Sequence, residues 1–263
     1  MKYGFIGCGN MGGALARALS KTTKDIILSD FIPEKAKELA AELGCDFGSN
    51  EEIAKKCDRI FLGVKPQVMR ETLAEISGIL KGSKPLLITM AAGLKINAIT
   101  DYVGETLPVI RIMPNTPVSV GEGMILYCRN DLVSDKDLQS FVEDMKHSGT
   151  LDLIDEELID AGCSVSGCGP AFMFMFADAI AKAGTACGLT REKAIKYAAT
   201  TMLGSAKLLL SSDKTPDELK QAVCSKGGST IMGVNTFEEG GLYELAQKAV
   251  DASYKRNIEL GKQ

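Results

Sequence analysis

Tyr3-Gly4-Phe5-Ile6-Gly7-Cys8-Gly9-Asn10-Met11-Gly12-Gly13 carries a short apolar strand straight into a Gly-x-Gly-x-x-Gly turn. Ala14, Leu15, Ala18 and Leu19 follow at the spacing of an amphipathic helix. Each glycine has a distinct task in such a turn. Gly7 permits the tight exit from the strand, Gly9 lets the backbone approach a phosphate, and Gly12 lets the helix pack closely on the strand. The helix N-terminus is left facing an anion, the arrangement that receives a dinucleotide pyrophosphate. Glycine turns are common; the strand before this one and the helix after it are what make it a nucleotide fingerprint.

Downstream, strands alternate with helices. Residues 25–29 read as a strand and 33–43 as a helix opened by Pro33. Asp30 closes that strand eighteen residues beyond Gly12, where such folds place the carboxylate that accepts from the adenosine ribose. A carboxylate there repels a 2′-phosphate, and Phe31 follows it in place of an arginine, which favours NADH over NADPH. In the competing reading Asp30 is a turn residue before Pro33 and Ser29 faces the ribose. Further on come a helix at 50–56, a strand at 59–64 running into Lys65-Pro66-Gln67, a helix at 67–79 and a strand at 86–90. That last strand opens on Ala91-Ala92-Gly93, whose small side chains let backbone lie against a flat ring. A strand at 108–113 enters the proline-fixed loop Pro114-Asn115-Thr116-Pro117. Strands at 123–127 and 150–154 and a helix at 135–147 then complete a mainly parallel sheet that allows an antiparallel edge. Loops 63–66 and 90–93 lie at carboxyl ends of strands, where such sheets bind ligands.

The character changes near residue 155. Helices are expected at about 169–187, 190–210, 216–223, 230–238 and 242–260, punctuated by Gly188, the 211–216 turn, Lys226-Gly227-Gly228 and Gly240-Gly241. The expected fold is therefore α/β, with a Rossmann dinucleotide-binding domain over 1–155 and an all-helical domain over 156–263. The segment 169–187 is apolar on nearly every face and needs cover all round. A second subunit would supply it; a central helix in a monomer is the alternative.

Composition narrows the chemistry. The 263 residues carry a net charge of -4 with both signs interspersed, so there is no basic stripe for nucleic acid. Apolar runs such as 171–177 are short for a bilayer, and Met1-Lys2 passes into a strand without a signal-peptide stretch, so a cytoplasmic, membrane-free protein is expected. The eight cysteines include no Cys-x-x-Cys pair, which suggests neither disulfides nor zinc. His147 is the only histidine and falls where a helix stops, so catalytic metal and Ser-His-Asp chemistry are not expected.

Three further motifs carry a resemblance. Met113-Pro114-Asn115-Thr116-Pro117, Ser166-Gly167-Cys168-Gly169-Pro170-Ala171 and Ser225-Lys226-Gly227-Gly228-Ser229-Thr230-Ile231, the last followed by Glu238-x-Gly-Gly, are similar to those of pyrroline-5-carboxylate reductases over the whole length. The resemblance implies hydride transfer from NAD(P)H to the C=N bond of 1-pyrroline-5-carboxylate, giving L-proline. It also implies an all-helical dimerisation domain, with dimers and, in several members, rings of five dimers. The implied cofactor contacts are Ile6, Gly7, Cys8, Gly9, Asn10, Met11 and Gly12 at the glycine turn, and Asn50 beside Ser29 and Asp30 at the ribose. Gly63, Val64, Lys65 and Pro66 follow, with Met90, Ala91, Ala92 and Asn115 towards the nicotinamide. The substrate carboxylate would lie on Ser225, Gly227, Gly228, Ser229 and Thr230, with Glu156 nearby and Thr230 reaching the ring nitrogen. Lys226, Cys168 and Ala222 depart from the pattern, standing where relatives carry proline, serine and asparagine. Two other readings compete. A 3-hydroxy-acid dehydrogenase would need a lysine on the helix after Gly-x-Gly, where Met173-Phe174-Met175-Phe176 offers none before Lys182. A non-catalytic NAD-binding sensor would be expected to carry a damaged substrate loop.

Overall fold

The computed structural model describes residues 1–261. Eight strands form one sheet: β1 (Tyr3–Ile6), β2 (Ile26–Ser29), β3 (Asp46–Phe47), β4 (Arg59–Leu62), β5 (Leu86–Thr89), β6 (Val109–Pro114), β7 (Gly123–Arg129) and β8 (Gly149–Leu153). Their order is β3-β2-β1-β4-β5-β6-β7-β8, so the chain winds outward from β1 to β3 and returns to start again at β4 on the other side of β1. All pairings are parallel except β6 with β7, which the short connection through the 3-10 turn Thr116–Val120 makes antiparallel. Six helices cover the sheet: α1 (Asn10–Leu19), α2 (Pro33–Leu43), α3 (Asn50–Lys56), α4 (Pro66–Ser83), α5 (Ile96–Val103) and α6 (Asp135–Asp144).

Alternate residues of a strand point to opposite faces, and the core accordingly divides in two. Phe5, Leu28, Phe61 and Ile88 pack with Leu15 of α1, Leu39 of α2 and Phe141 of α6. Ile6, Ile27, Leu62 and Leu87 pack with Ile53 of α3, Leu73 of α4 and Ile99 of α5. Both faces are covered, which is why these strands read as continuous apolar runs.

Of the strands and the helices that cover the sheet, two do not appear in the sequence reading. β3 is a two-residue edge strand, too short for any periodicity. α5 carries Asn97, Thr100 and Asp101, middling helix formers, and exists because Ile96, Ile99 and Val103 bury one face. The helix expected to end at His147 stops at Asp144, and His147 sits exposed in the 3-10 turn Lys146–Ser148.

After β8 the chain is helical among the described residues. A 3-10 turn at Glu156–Leu158, α7 (Ile159–Gly162) and a π-turn at Cys163–Gly167 run on into α8 (Gly169–Ala186). This 31-residue run, Glu156–Ala186, is long and apolar enough to cross a membrane by length and composition alone, a measure that core helices of folded proteins also meet. Its first part is anchored in the core by Ile159. α9 (Arg191–Leu210), α10 (Pro216–Ala222), α11 (Ser229–Glu239) and α12 (Leu242–Leu260) follow, close to the expected limits. The compact units are 1–168 with the chain from 253 to 261, and 169–252. Residue 155 thus marks where strands give way to helices, whereas the packing boundary lies at 168 and the end of α12 belongs with the sheet. In the second unit α8 and α9 lie together, Phe176 meets Phe237 at 5.8 Å, and Lys220 joins α10 to α11 through Glu238 at 2.8 Å. Met173, Phe174, Met175 and Phe176 of α8 stay exposed in the single chain.

One buried cation braces the first unit. Arg59 of β4 is 1% exposed and donates to the Tyr3 hydroxyl at 2.8 Å, to Asp144 at 3.3 Å and to the Asp137 carbonyl at 3.2 Å. Tyr3 donates in turn to Asp144. Burial, reinforced by that bond, pushes the Tyr3 phenol above its usual range, so it remains a neutral donor at any physiological pH. Replacing Asp144 with alanine leaves the guanidinium short of a counter-charge and the phenol without its acceptor. The expected loss is about 3 kcal/mol of stability, read as a lower urea midpoint; an unchanged midpoint would show the brace to be idle.

Candidate active site

The carboxyl ends of β1 and β4 meet where the winding direction reverses, and glycines let the backbones touch there. Gly7 has φ +100°, and a Cβ on it would lie 2.7 Å from the carbonyl carbon of Gly63. A Cβ on Gly63 would lie 2.5 Å from the Gly7 oxygen, and one on Gly12 would strike the same oxygen. Gly9 differs, because a Cβ there meets nothing within 4 Å. It caps α1 without a side-chain hydrogen bond, and the first turn of that helix carries no acid. The open face and the unshared N–H groups of Asn10 and Met11 fit a pyrophosphate.

Beside this turn the structure gathers Cys8, Ser29, Asp30 and Asn50. Asp30 accepts from the Cys8 N–H at 2.8 Å through one oxygen and from the Ile32 N–H at 3.0 Å through the other. Its negative charge is therefore fixed at the end of β2 with lone pairs left over. The Ser29 hydroxyl donates to Asn50 Oδ1 at 2.7 Å, so it orients Asn50 and does not face outward. Burial, with the nearby Asp30 charge, pushes the Cys8 thiol up to about 12, and it donates to the Ser29 carbonyl at 3.3 Å. The adjacent cleft is lined by Arg17, Lys35, Glu38 and Glu42. Arg17 is held by Glu42 through two bonds of 2.7 Å, and Phe31 is fully exposed. Among the described residues, the arginine lining this cleft is thus already paired.

Gly63, Val64 and Lys65 form the turn between β4 and α4, with Pro66 at the first position of α4. Met90, Ala91 and Ala92 follow β5; Ala91 is buried in the core while Ala92 is exposed. All these segments share the carboxyl edge of the parallel strands.

Two further expected site residues, like Ser29, make bonds within the fold. Asn115, expected at the cofactor, is 9% exposed; its amide donates to the Ser166 carbonyl at 2.9 Å and accepts from the Met124 N–H at 2.9 Å. It ties β6 to β7 and to the π-turn. Glu156, expected near the substrate, lies 3.3 Å from the buried Arg111 and accepts from the Ile96 N–H at 2.8 Å through the same oxygen. Asp160 shares Arg111 at 3.6 Å. Arg111 has a buried Nε without a partner, so charge alone holds that end of the guanidinium. The sequence reading passed over Arg111, although a lone arginine within an apolar strand is a signal for a buried ion pair.

In the second unit, Ser225–Thr230 forms the turn that opens α11. Gly227 has φ +72°, the Gly228 N–H donates to the Ser225 carbonyl at 3.0 Å, and Gly228 caps the helix without a side-chain bond. Ser229 and Thr230 are exposed residues at the helix start, where N–H groups without intrahelical acceptors can receive an anion. No group of three or more metal-ligating residues occurs among the described residues.

The contrast between Gly9 and Gly12 is testable. Gly9→Ala should unfold within about 2 °C of the parent protein, as a substitution into open space does, and yet bind dinucleotide far more weakly. Gly12→Ala should lose about 1–3 kcal/mol through overpacking. Thermal unfolding and calorimetric titration separate the two, and equal Tm losses would contradict the geometry.

Comparison with known proteins bears on the fold and the family. Residues 156–260 match a family described as pyrroline-5-carboxylate reductase dimerisation, and residues 2–93 match NADP oxidoreductase, coenzyme F420-dependent. A pyrroline-5-carboxylate reductase of Aquifex aeolicus is 35% identical over 97% of this chain and 96% of its own length. A solved reductase of the same description from Coxiella burnetii superposes with a TM-score of 0.93 at 30% identity, over 100% of this chain and 99% of that one. The Plasmodium falciparum pyrroline carboxylate reductase, solved with NADP bound, gives 0.87 at 30% identity over 99% and 98%. Likeness of this extent, reaching from the glycine turn to the last helix, makes the chain a member of the pyrroline-5-carboxylate reductase family.

Proposed function

We propose that the protein reduces 1-pyrroline-5-carboxylate to L-proline with hydride from NAD(P)H. The observation that carries this reading is the full-length match to reductases of that description, with the glycine cradle and the Ser225–Thr230 turn both intact. The reduced nicotinamide supplies the hydride. The substrate enters as a protonated cyclic iminium; hydride adds to the carbon, and the C=N electron pair moves onto nitrogen to leave the amine. No protein acid is needed for that step, in keeping with a lone histidine exposed in a surface turn. What the chain must supply is placement of the reacting carbons within about 3–3.5 Å of each other.

In this reading residues 6–12 cradle the pyrophosphate, Asp30 and Asn50 serve the ribose, 63–66 line the cofactor, and 90–92 form the shelf for the nicotinamide. The start of α11 grips the substrate carboxylate through its N–H groups and the hydroxyls of Ser225, Ser229 and Thr230. Thr230 also bonds the ring nitrogen. Lys226 stays solvated. The fixed charge of Asp30 and the occupied Arg17 favour NADH over NADPH. A 3-hydroxy-acid dehydrogenase reading is weaker still with the structure in hand, since Lys182 is paired with Asp178 at 2.8 Å. The exposed apolar face of α8 supports a homodimer built on residues 156–263; rings of five dimers rest on the family resemblance alone. A cytoplasmic protein without membrane or nucleic-acid partners completes the reading, supported by the interspersed charges of the chain.

Following NADH and NADPH oxidation separately with 1-pyrroline-5-carboxylate should show turnover with a higher kcat/KM for NADH. Reaction of 3-hydroxy acids without the imine would overturn the activity, whereas a large NADPH advantage would show only that Asp30 does not face the ribose. Thr230→Ala should lower kcat/KM for the imine by roughly tenfold, about 1.4 kcal/mol in transition-state binding. An unchanged value would remove Thr230 from the site.

A further inference from the structure

The loop Met90–Lys95 between β5 and α5 is held by parts of the chain remote in sequence. α5 begins without help from its own cap residue: Lys95 makes no side-chain bond to the helix, and the first turn contains no acid. The cap comes instead from Glu156, whose Oε1 accepts from the Ile96 N–H at 2.8 Å. An anion at a helix N-terminus is favoured both by the bond and by the helix dipole. Arg111, almost wholly buried on β6, holds the same oxygen at 3.3 Å. The loop is also backed by the last turn of α12. Gly93 has φ +78°, and a Cβ there would lie 2.9 Å from the backbone carbon of Leu260 and 3.0 Å from the nitrogen of Gly261. That turn is itself moored, because Asn257 donates to the Asp160 carbonyl and to Ser164 Oγ, each at 3.2 Å.

From this we infer that Glu156 is a positioning residue: through Ile96 it sets the height of the 90–92 shelf against the nicotinamide, with the Leu260–Gly261 turn as the backstop at Gly93. The inference rests on the reading of that shelf given under the proposed function. It assigns Glu156 to the cofactor side of the reaction and away from the substrate, and it makes Arg111 the group that holds the carboxylate in place. Hydride transfer is steep in distance, and a displacement of about 1 Å can cost up to roughly 100-fold in rate. The loop's other bonds are long, from the Met90 N–H to the Leu62 carbonyl at 3.5 Å and from the Ala91 N–H to Thr89 Oγ1 and the Leu94 N–H to the Ala91 carbonyl at 3.4 Å each, so the shorter tether at Ile96 is what tightens it to that tolerance.

The test compares NADH with ADP-ribose, which shares everything but the nicotinamide end. Calorimetric titration of Glu156→Ala should show NADH binding weakened about tenfold and ADP-ribose within about twofold of wild type. Its kcat should fall, while KM for the imine at saturating NADH stays nearly constant. Glu156→Gln keeps an oxygen able to accept from Ile96 and should recover most of the NADH affinity. Equal weakening of both nucleotides, or a change confined to the imine KM, would overturn the inference. Should Glu156→Ala fail to fold, Gly93→Ala disturbs the same loop from the other side and should give the same split; its absence there would be equally decisive. A wild-type protein that binds neither NADH nor NADPH would instead overturn the proposed function.

Discussion

Two backbones touching at the carboxyl ends of β1 and β4 set the terms for everything around them. Gly7, Gly12 and Gly63 leave no room for a Cβ at that junction, and the winding of the sheet reverses there. A crevice forms at such a reversal because the connections from the two central strands leave in opposite directions. The close approach brings the start of α1, with its unshared N–H groups, to the floor of the crevice. Of the three fingerprint glycines Gly9 alone faces open space, so its lack of a side chain is not required by packing, whereas Gly7 and Gly12 serve the fold.

Charge inside the sheet is handled by two arginines, one on each face. Arg59 is satisfied by a phenol, a carbonyl and carboxylates around α6, and it braces the first unit. Arg111 faces the other way and gathers Glu156 and Asp160 from the segment just after β8. A buried guanidinium without partners would be costly, so each arginine dictates where its acidic partners must sit. The helical segment after residue 155 is thereby packed onto the sheet before the second unit begins, which explains why the packing boundary falls at 168.

The apparent functional importance of a polar residue within a motif can have a structural origin. Asn115 lies in a proline-flanked turn that looks like a ligand loop, yet both ends of its amide are engaged with backbone groups of the fold. Its neighbours in space, Met124 and Ser166, are distant in sequence, and no local pattern announces them. Ser29 and Asp30 make the opposite case. Both were candidates for the ribose from position alone, and hydrogen bonding separates them by giving the serine to Asn50 and leaving the aspartate a fixed charge.

Much of this protein was legible in the order of its residues. The glycine turn, the apolar runs of strands buried on both faces, the proline and serine or threonine starts of helices and the glycine stops are local signals, because dihedral preference and hydrogen bonding within a few residues produce them. They suffice for the α/β first half, for the limits of the long helices and, with three motifs, for the family. The tertiary structure alone decided the existence of β3 and α5, which stand on pairing and burial and have no periodicity to show. It alone gave Glu156 to Arg111 and Ile96, and the Leu260–Gly261 turn to Gly93. Those outcomes depend on which distant groups share a buried volume, and the partner of a buried charge is chosen by packing across the whole fold, a quantity that no window of sequence contains.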